Sequence, residues 1–180
     1  MISGLIPHRY ARALYKFAVD TKCTDKVYAE MKQLIASFRA NPSLEKVLSN
    51  PFVKADDKRK LLLSAAGEKP GEDYKRFVTL ILDHRREEFA YLMALAYRDI
   101  YRRENNISQV KITTAVKLPD AEIAKLKGVV EHSFPGSKFE YEYSVDPDII
   151  GGFVIDVDST RMDASISNEL EQLRQNLSSN

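Results

Sequence analysis

The period of the hydrophobic pattern changes once along this chain, abruptly, at Asn105-Asn106. Upstream, apolar residues recur every three or four positions, the spacing that lines one face of a helix. Downstream they alternate with polar residues, the spacing of a half-buried strand. A run patterned for one geometry cannot bury its apolar side in the other. The chain is therefore expected to be an α+β protein in two parts, an all-α six-helix bundle over residues 1–105 and a small mixed β-α-β-β-α domain over 106–180. Each part can hold a core without staples, because a half of ~100 residues lies above the size at which disulfides or metals become necessary.

In the first part, Tyr10, Leu14, Phe17 and Ala18 share a helical face, with Pro7 in a first turn that tolerates it and the small Ala11 and Ala13 alongside. A second helix is expected after Thr24 as N-cap, carrying Val27, Met31, Leu34 and Phe38. Asn41-Pro42 is a stop and restart, with Asn41 as cap, and a short helix from Ser43 to Leu48 ends before Asn50-Pro51. Residues 54–66 form a fourth helix with acids first and bases later, as the helix dipole prefers. After a Gly67-to-Gly71 loop, Tyr74, Phe77, Val78, Ile81 and Leu82 give the strongest amphipathic stripe in the chain. A last helix is expected from about Arg86 to Asn105, with Phe89, Leu92, Met93, Ala96 and Ile100 on one face. Tyr91, Leu95, Arg98 and Arg102 mark another, which suggests packing on both sides.

In the second part, Val110, Ile112, Thr114 and Val116 read as a strand, and Pro119 opens a helix carrying Ile123, Leu126 and Val130. Past a Pro135-Gly136 turn, Phe139, Tyr141, Tyr143 and Val145 form a second strand. Asp146-Pro147-Asp148 then turns the chain into a third, Ile149 to Asp158, interrupted by Gly151-Gly152. A final helix is expected from Asp163 as its cap, with Ile166, Leu170, Leu173 and Leu177 in line.

Net charge is +1, but residues 1–108 carry 20 Lys and Arg against 14 Asp and Glu, and residues 109–180 carry 7 against 12. A basic +6 half and an acidic −5 half argue for two surfaces with different partners, or for a Lys-rich solvated helical surface. The single cysteine, Cys23, excludes an internal disulfide framework and a multi-cysteine zinc site. No run approaches the ~20 apolar residues of a membrane span. The opening Met1-Ile2-Ser3-Gly4-Leu5 lacks a basic stretch leading into an apolar one, so no signal peptide is expected and the chain reads as soluble and intracellular.

Chemistry is hard to place. His8, His84 and His132 fall in three different predicted elements without metal-ligand spacing. Cys23 has no activating motif. Gly151-Gly152 lacks the rest of a phosphate loop and reads as a bulge or a close backbone approach. Asp156, Asp158 and Asp163 lack the order of a calcium loop. The basic clusters Lys58-Arg59-Lys60, Arg85-Arg86 and Arg98, Arg102, Arg103 have no nucleic-acid module beside them and read as solvated helix faces or a protein–protein rim. No catalytic set, cofactor site or metal site is nominated.

Three segments resemble one family, the delta subunit of F-type ATP synthases, whose mitochondrial counterpart is the oligomycin-sensitivity-conferring protein. Arg9-Tyr10-Ala11-Arg12-Ala13-Leu14-Tyr15 is similar to its N-terminal motif, and Asn50-Pro51-Phe52-Val53 before Asp57-Lys58-Arg59 to its Asn-Pro stretch. Asp146-Pro147-Asp148-Ile149-Ile150-Gly151-Gly152-Phe153 followed by Asp163-Ala164-Ser165 resembles its signature of acidic turn, Ile-Gly-Gly, strand and Asp-x-Ser, with Ile150, Gly151, Gly152, Phe153, Asp163 and Ser165 as the matching positions. Ala164 departs from the Gly of many relatives.

The resemblance implies a non-catalytic stator, or peripheral-stalk, subunit of a proton-translocating F-type ATP synthase, without cofactor, that resists rotor torque so that rotation drives ATP synthesis. It implies that residues 1–105 bind the catalytic head through the N-terminal helix of an alpha subunit, and that 106–180 bind the C-terminal end of the b-subunit stalk. The groove between the first and fifth helices nominates Tyr10, Ala11, Leu14, Phe77, Val78 and Ile81. Leu14, Phe77 and Ile81 read equally as bundle core, whereas Tyr10 and the alanines favour contact with a partner. The Ile166-to-Leu177 stripe either covers the sheet or meets the stalk. No nucleic acid and no direct membrane span are expected; the setting is peripheral, at the cytoplasmic face of a bacterial inner membrane. The alternative reading of the charge split is a basic helical nucleic-acid-binding protein with an acidic α/β tail, and a small α/β enzyme is a third.

Overall fold

The structure, a computed structural model, describes residues 4–178; Met1–Ser3, the start of the opening segment expected to carry no signal peptide, lie outside the described residues. The chain divides into two compact units, Met1–Glu104 and Asn105–Asn180.

The first unit holds six α-helices: α1 (Leu5–Asp20), α2 (Thr24–Ala40), α3 (Ser43–Ser49), α4 (Ala55–Ala65), α5 (Glu72–Asp83) and α6 (Ala90–Glu104). The expected Arg86 start of the last helix is instead a 3-10 turn, Glu87–Phe89, that leads into α6. Neither Thr24 nor Asn41 caps its helix through a side chain: Thr24 is already helical, and Pro42 stands at the start of α3. Central in the unit, α6 packs along both α1 and α2. Its buried stripe is Ala90, Met93, Ala94, Tyr97 and Tyr101, offset from the expected one, and Leu92 is exposed. Alanines allow close helix approach, and the two tyrosines carry hydroxyls that find partners: Tyr97 donates to the Thr24 carbonyl (3.3 Å) and Tyr101 to the Asp25 carboxylate (2.7 Å). Tyr74, fully buried on α5, donates to the Leu62 carbonyl at 2.9 Å.

One of the basic clusters is not a solvated face. Lys58 is 5% exposed, and its ammonium meets the half-buried Glu87 carboxylate at 2.7 Å, tying α4 to the turn before α6. Removing Glu87 would cost up to about 3–5 kcal/mol, because the Lys58 ammonium would be left buried alone.

The second unit is β1 (Ile107–Thr114), α7 (Asp120–Ser133), β2 (Lys138–Val145), β3 (Gly152–Val157), β4 (Thr160–Ser165) and α8 (Ile166–Ser178). Its sheet order is β2-β1-β3-β4, with β1 parallel to β2 and antiparallel to β3, and β4 antiparallel to β3. The α+β class of the sequence reading holds, but the unit is β-α-β-β-β-α. Strand β4 escaped the pattern because its first five residues are exposed, so no alternation marks it. Val110, Ile112, Ile155 and Val157 meet Leu126 and Val130 of α7 to form the core, with Phe139, Tyr141 and Phe153 packed at its edge. The expected third strand starts late: Pro147–Ile149 is a 3-10 turn, and β3 begins at Gly152. Val116 lies beyond β1 and is exposed.

Candidate docking sites

Helices α1 and α5 run antiparallel, pinned at both ends. At one end the Thr21 hydroxyl donates to Asp73 (2.6 Å); at the other the Tyr10 hydroxyl lies 2.7 Å from His84 Nδ1. Between these pins lies an open groove of about 410 Å³, lined by Tyr10, Ala13, Leu14, Phe17, Phe77 and Leu80, with Asp73 and Arg76 toward the Thr21 end. The Arg76 guanidinium stands 6.0 Å from the Phe17 ring centroid, so its charge rests on an aromatic face. The start of α5 is fixed from α2: the buried Glu30 accepts the Gly71 N–H at 2.6 Å. Burial pushes the Glu30 carboxyl above its ordinary range, and the Gly71 bond and nearby Lys26 only partly offset that.

Of the six residues nominated from the sequence, Tyr10, Leu14 and Phe77 line the groove. Ala11, Val78 and Ile81 are buried beneath it, at 0%, 1% and 1% exposure, in the bundle core. Leu14 and Phe77 are themselves nearly buried and belong to both. Ala13, small enough to admit a neighbour, lines the groove as well, whereas sequence reasoning missed Phe17, Arg76 and Leu80 as groove residues. Leu80 sits off the amphipathic stripe of α5, and an exposed leucine on the polar face was the available signal.

The second site is built by the signature residues of the second unit. Gly151 approaches α8 so closely that a Cβ there would stand 2.7 Å from Ile166 Cδ1, and its carbonyl accepts the Ile166 N–H at 3.1 Å. Gly152 has φ 74°, and a Cβ there would collide with the Ala164 carbonyl across the β3–β4 ladder. Here the close backbone approach, one of the two sequence readings of this glycine pair, is what is found. Asp163 is not the helix cap: it lies in β4, and its Oδ1 accepts both the Ser165 N–H (3.0 Å) and the Ser165 hydroxyl (2.6 Å). Ser165 is the cap, its Oγ accepting the Asn168 N–H at 3.2 Å. The Ser165 hydroxyl and N–H hold the Asp163 carboxyl below its ordinary range. Phe153 packs at the edge of the core, while Ile150 is 61% exposed.

These contacts launch α8 from the sheet. Its stripe of Ile166, Leu170, Leu173 and Leu177 does not cover the sheet: exposure rises from 44% at Ile166 to 80% at Leu177. The other two aspartates weighed as calcium ligands have partners within the unit. Asp156 pairs with Arg161 (3.3 Å), and Asp158, at φ 48° in the two-residue β3–β4 turn, accepts the Gln109 N–H (3.0 Å). Among the described residues no group of three His, Cys, Asp or Glu side chains could hold a metal, and no helix is long and apolar enough to cross a membrane.

A helical unit with an open apolar groove and a small sheet unit with an uncovered leucine helix define a class of protein, an assembly subunit that works by being held. The profile of the family described as ATP synthase delta (OSCP) subunit matches residues 6–177. The ATP synthase subunit delta of Phocaeicola vulgatus is 38% identical over 176 residues, 97% of this chain and 95% of its own. That of Parabacteroides distasonis is 38% identical over 177 residues, 98% of each. A chain of the Toxoplasma gondii mitochondrial ATP synthase hexamer, solved by cryo-EM, superposes with a TM-score of 0.69 at 18% identity, covering 95% of this chain and 96% of that one; this likeness is one of fold. The chain belongs to the ATP synthase delta (OSCP) subunit family. It is a stator subunit of the F-type ATP synthase, a non-catalytic part of a complex that couples ATP synthesis to proton transport.

Proposed function

We propose that the helical unit attaches to the catalytic head by receiving the N-terminal helix of an alpha subunit in the α1–α5 groove, and that the second unit holds the C-terminal end of the b-subunit stalk. Torque on the head is then opposed through two protein–protein contacts that neither make nor break covalent bonds. The observation that carries this reading is the groove itself, an apolar trough between two helices pinned at both ends, in which half-buried Phe17 and exposed Ala13 and Leu80 stand uncovered. An amphipathic helix laying its apolar face into such a trough is an established mode of recognition. The bacterial relatives support a peripheral position at the cytoplasmic face of a bacterial inner membrane.

Calorimetric titration of the full chain with a peptide of the alpha-subunit N-terminus from the same organism tests the first contact. One-to-one saturable binding, abolished by a charge in the groove, is expected. Absence of binding by the folded chain would remove the groove from the account.

A further inference from the structure

Ile150 stands in a backbone conformation that its side chain disfavours. At φ 67° and ψ −45°, with the Gly151 N–H donating to the Ile149 carbonyl at 2.8 Å, it is the centre of a γ-turn of the rare positive-φ kind. Glycine or asparagine is the ordinary occupant of positive φ, and a β-branched residue there is an outlier. Burial does not explain the choice, because Ile150 is 61% exposed. The turn is not loose. Residues Pro147–Ile149 pack against α8, the Gly151 carbonyl takes the Ile166 N–H, and the Ile166 side chain lies over Gly151. The strained residue is therefore anchored at the head of the α8 stripe. Strain kept at an exposed, rigidly held residue points to a binding role.

The stripe defines what would bind. Ile166, Leu170, Leu173 and Leu177 are spaced four, three and four residues apart, the narrow seam of a coiled coil, flanked by Glu169 on one side and Arg174 on the other. A partner with this spacing is itself an α-helix. At 1.5 Å per residue the seam runs for roughly 16 Å, and it cannot extend toward the N-terminus because the chain turns into β4. Ile150 directly precedes Gly151, whose carbonyl accepts the N–H of Ile166, the first residue of the seam, so an exposed apolar side chain stands one residue from the point where the chain meets the head of α8. The unit it belongs to is acidic, with a net charge of −5 over residues 105–180, so basic flanks on the partner would be matched.

We propose that Ile150 is an anchor residue of the stalk interface, a knob that lengthens the α8 seam by one position and receives the end of a basic amphipathic helix with a 3.5-residue apolar repeat. This inference rests on the reading of the second unit as the stalk-binding half. The test compares the full chain with its Ile150→Gly, Ile150→Ala and Leu173→Asp variants against the C-terminal segment of the b subunit from the same organism, by calorimetry and thermal melting. Ile150→Gly removes both the side chain and the strain, so it is expected to melt no lower than the parent while binding roughly tenfold more weakly. Ile150→Ala keeps the strained backbone and is expected to lose the same affinity while melting no higher than the parent. Parent-like binding by both Ile150 variants, with Leu173→Asp binding lost, would overturn the anchor and leave the stalk reading standing. Failure of the parent chain to bind the segment would overturn both.

Discussion

Leu80 separates groove from core more cleanly than any other residue of the bundle. It lines the trough and is 42% exposed, whereas its neighbours Val78 and Ile81 are 1% exposed. Fully burying a leucine side chain contributes about 1.5–3 kcal/mol, so covering the exposed share with a partner helix contributes about 0.6–1.3 kcal/mol. With tenfold in Kd for every 1.4 kcal/mol, Leu80→Ala should weaken peptide binding about three- to ninefold. Leu80→Asp should weaken it more, about 10- to 100-fold, because desolvating a carboxylate in the covered trough adds up to about 2 kcal/mol, which Arg76 one turn earlier on α5 offsets only in part. Both variants should unfold in urea within about 0.5 kcal/mol of the parent, as surface substitutions do. Val78→Ala is the converse: it should cost about 2–3 kcal/mol of stability through lost burial and a cavity, while binding stays near the parent value. Calorimetry for affinity and urea melts for stability read the two axes. A folded Leu80→Asp chain that bound the alpha-subunit peptide like the parent would refute this account of the groove. Phe77, at 5% exposure, cannot serve as this probe, since a charge there would damage the core as well as the trough.

Three further outcomes follow from particular contacts. Gly152→Ala should lower the stability of the second unit by about 2 kcal/mol or more, through positive φ and collision with the Ala164 carbonyl, seen as a lower melting temperature. Glu30→Gln should stabilise the chain at pH 7, since burial raises the folded-state pKa of Glu30 and the ionised form is the disfavoured one. That gain should shrink as pH is lowered through the raised value toward the ordinary glutamate range, because only the folded parent takes up a proton there. For Asp163 the sign reverses: its folded-state pKa is depressed, so the stability lost in Asp163→Ala should be full above about pH 4 and vanish as pH falls through the depressed value. Melting curves across that range check both.

Much of this architecture was legible because hydrophobic period is a local property. The stripe of Tyr74, Phe77, Val78, Ile81 and Leu82 was read as one helix face, and all five are buried in α5. The alternation of Val110 and Ile112 likewise became the sheet core. What failed was set by tertiary context. Strand β4 has almost no burial, so its polar sequence carries no period and pairing with β3 alone defines it. Asp163 looked like a cap, yet it orients Ser165, which caps in its place; the residues are two apart and only the fold distinguishes them. Lys58 within Lys58-Arg59-Lys60 looked solvated because its partner Glu87 is 29 residues away. Leu80 was passed over since an apolar residue on a polar helix face breaks the pattern that defines a core, and that break is what marks a surface awaiting a partner.

The most direct test of the central claim is a map of amide chemical-shift changes in the isotope-labelled full chain as the alpha-subunit peptide is added. The account predicts saturating shifts concentrated at Tyr10, Ala13, Phe17, Arg76 and Leu80, with residues 105–180 unmoved. Shifts concentrated in the second unit, or none anywhere at saturating peptide, would contradict it.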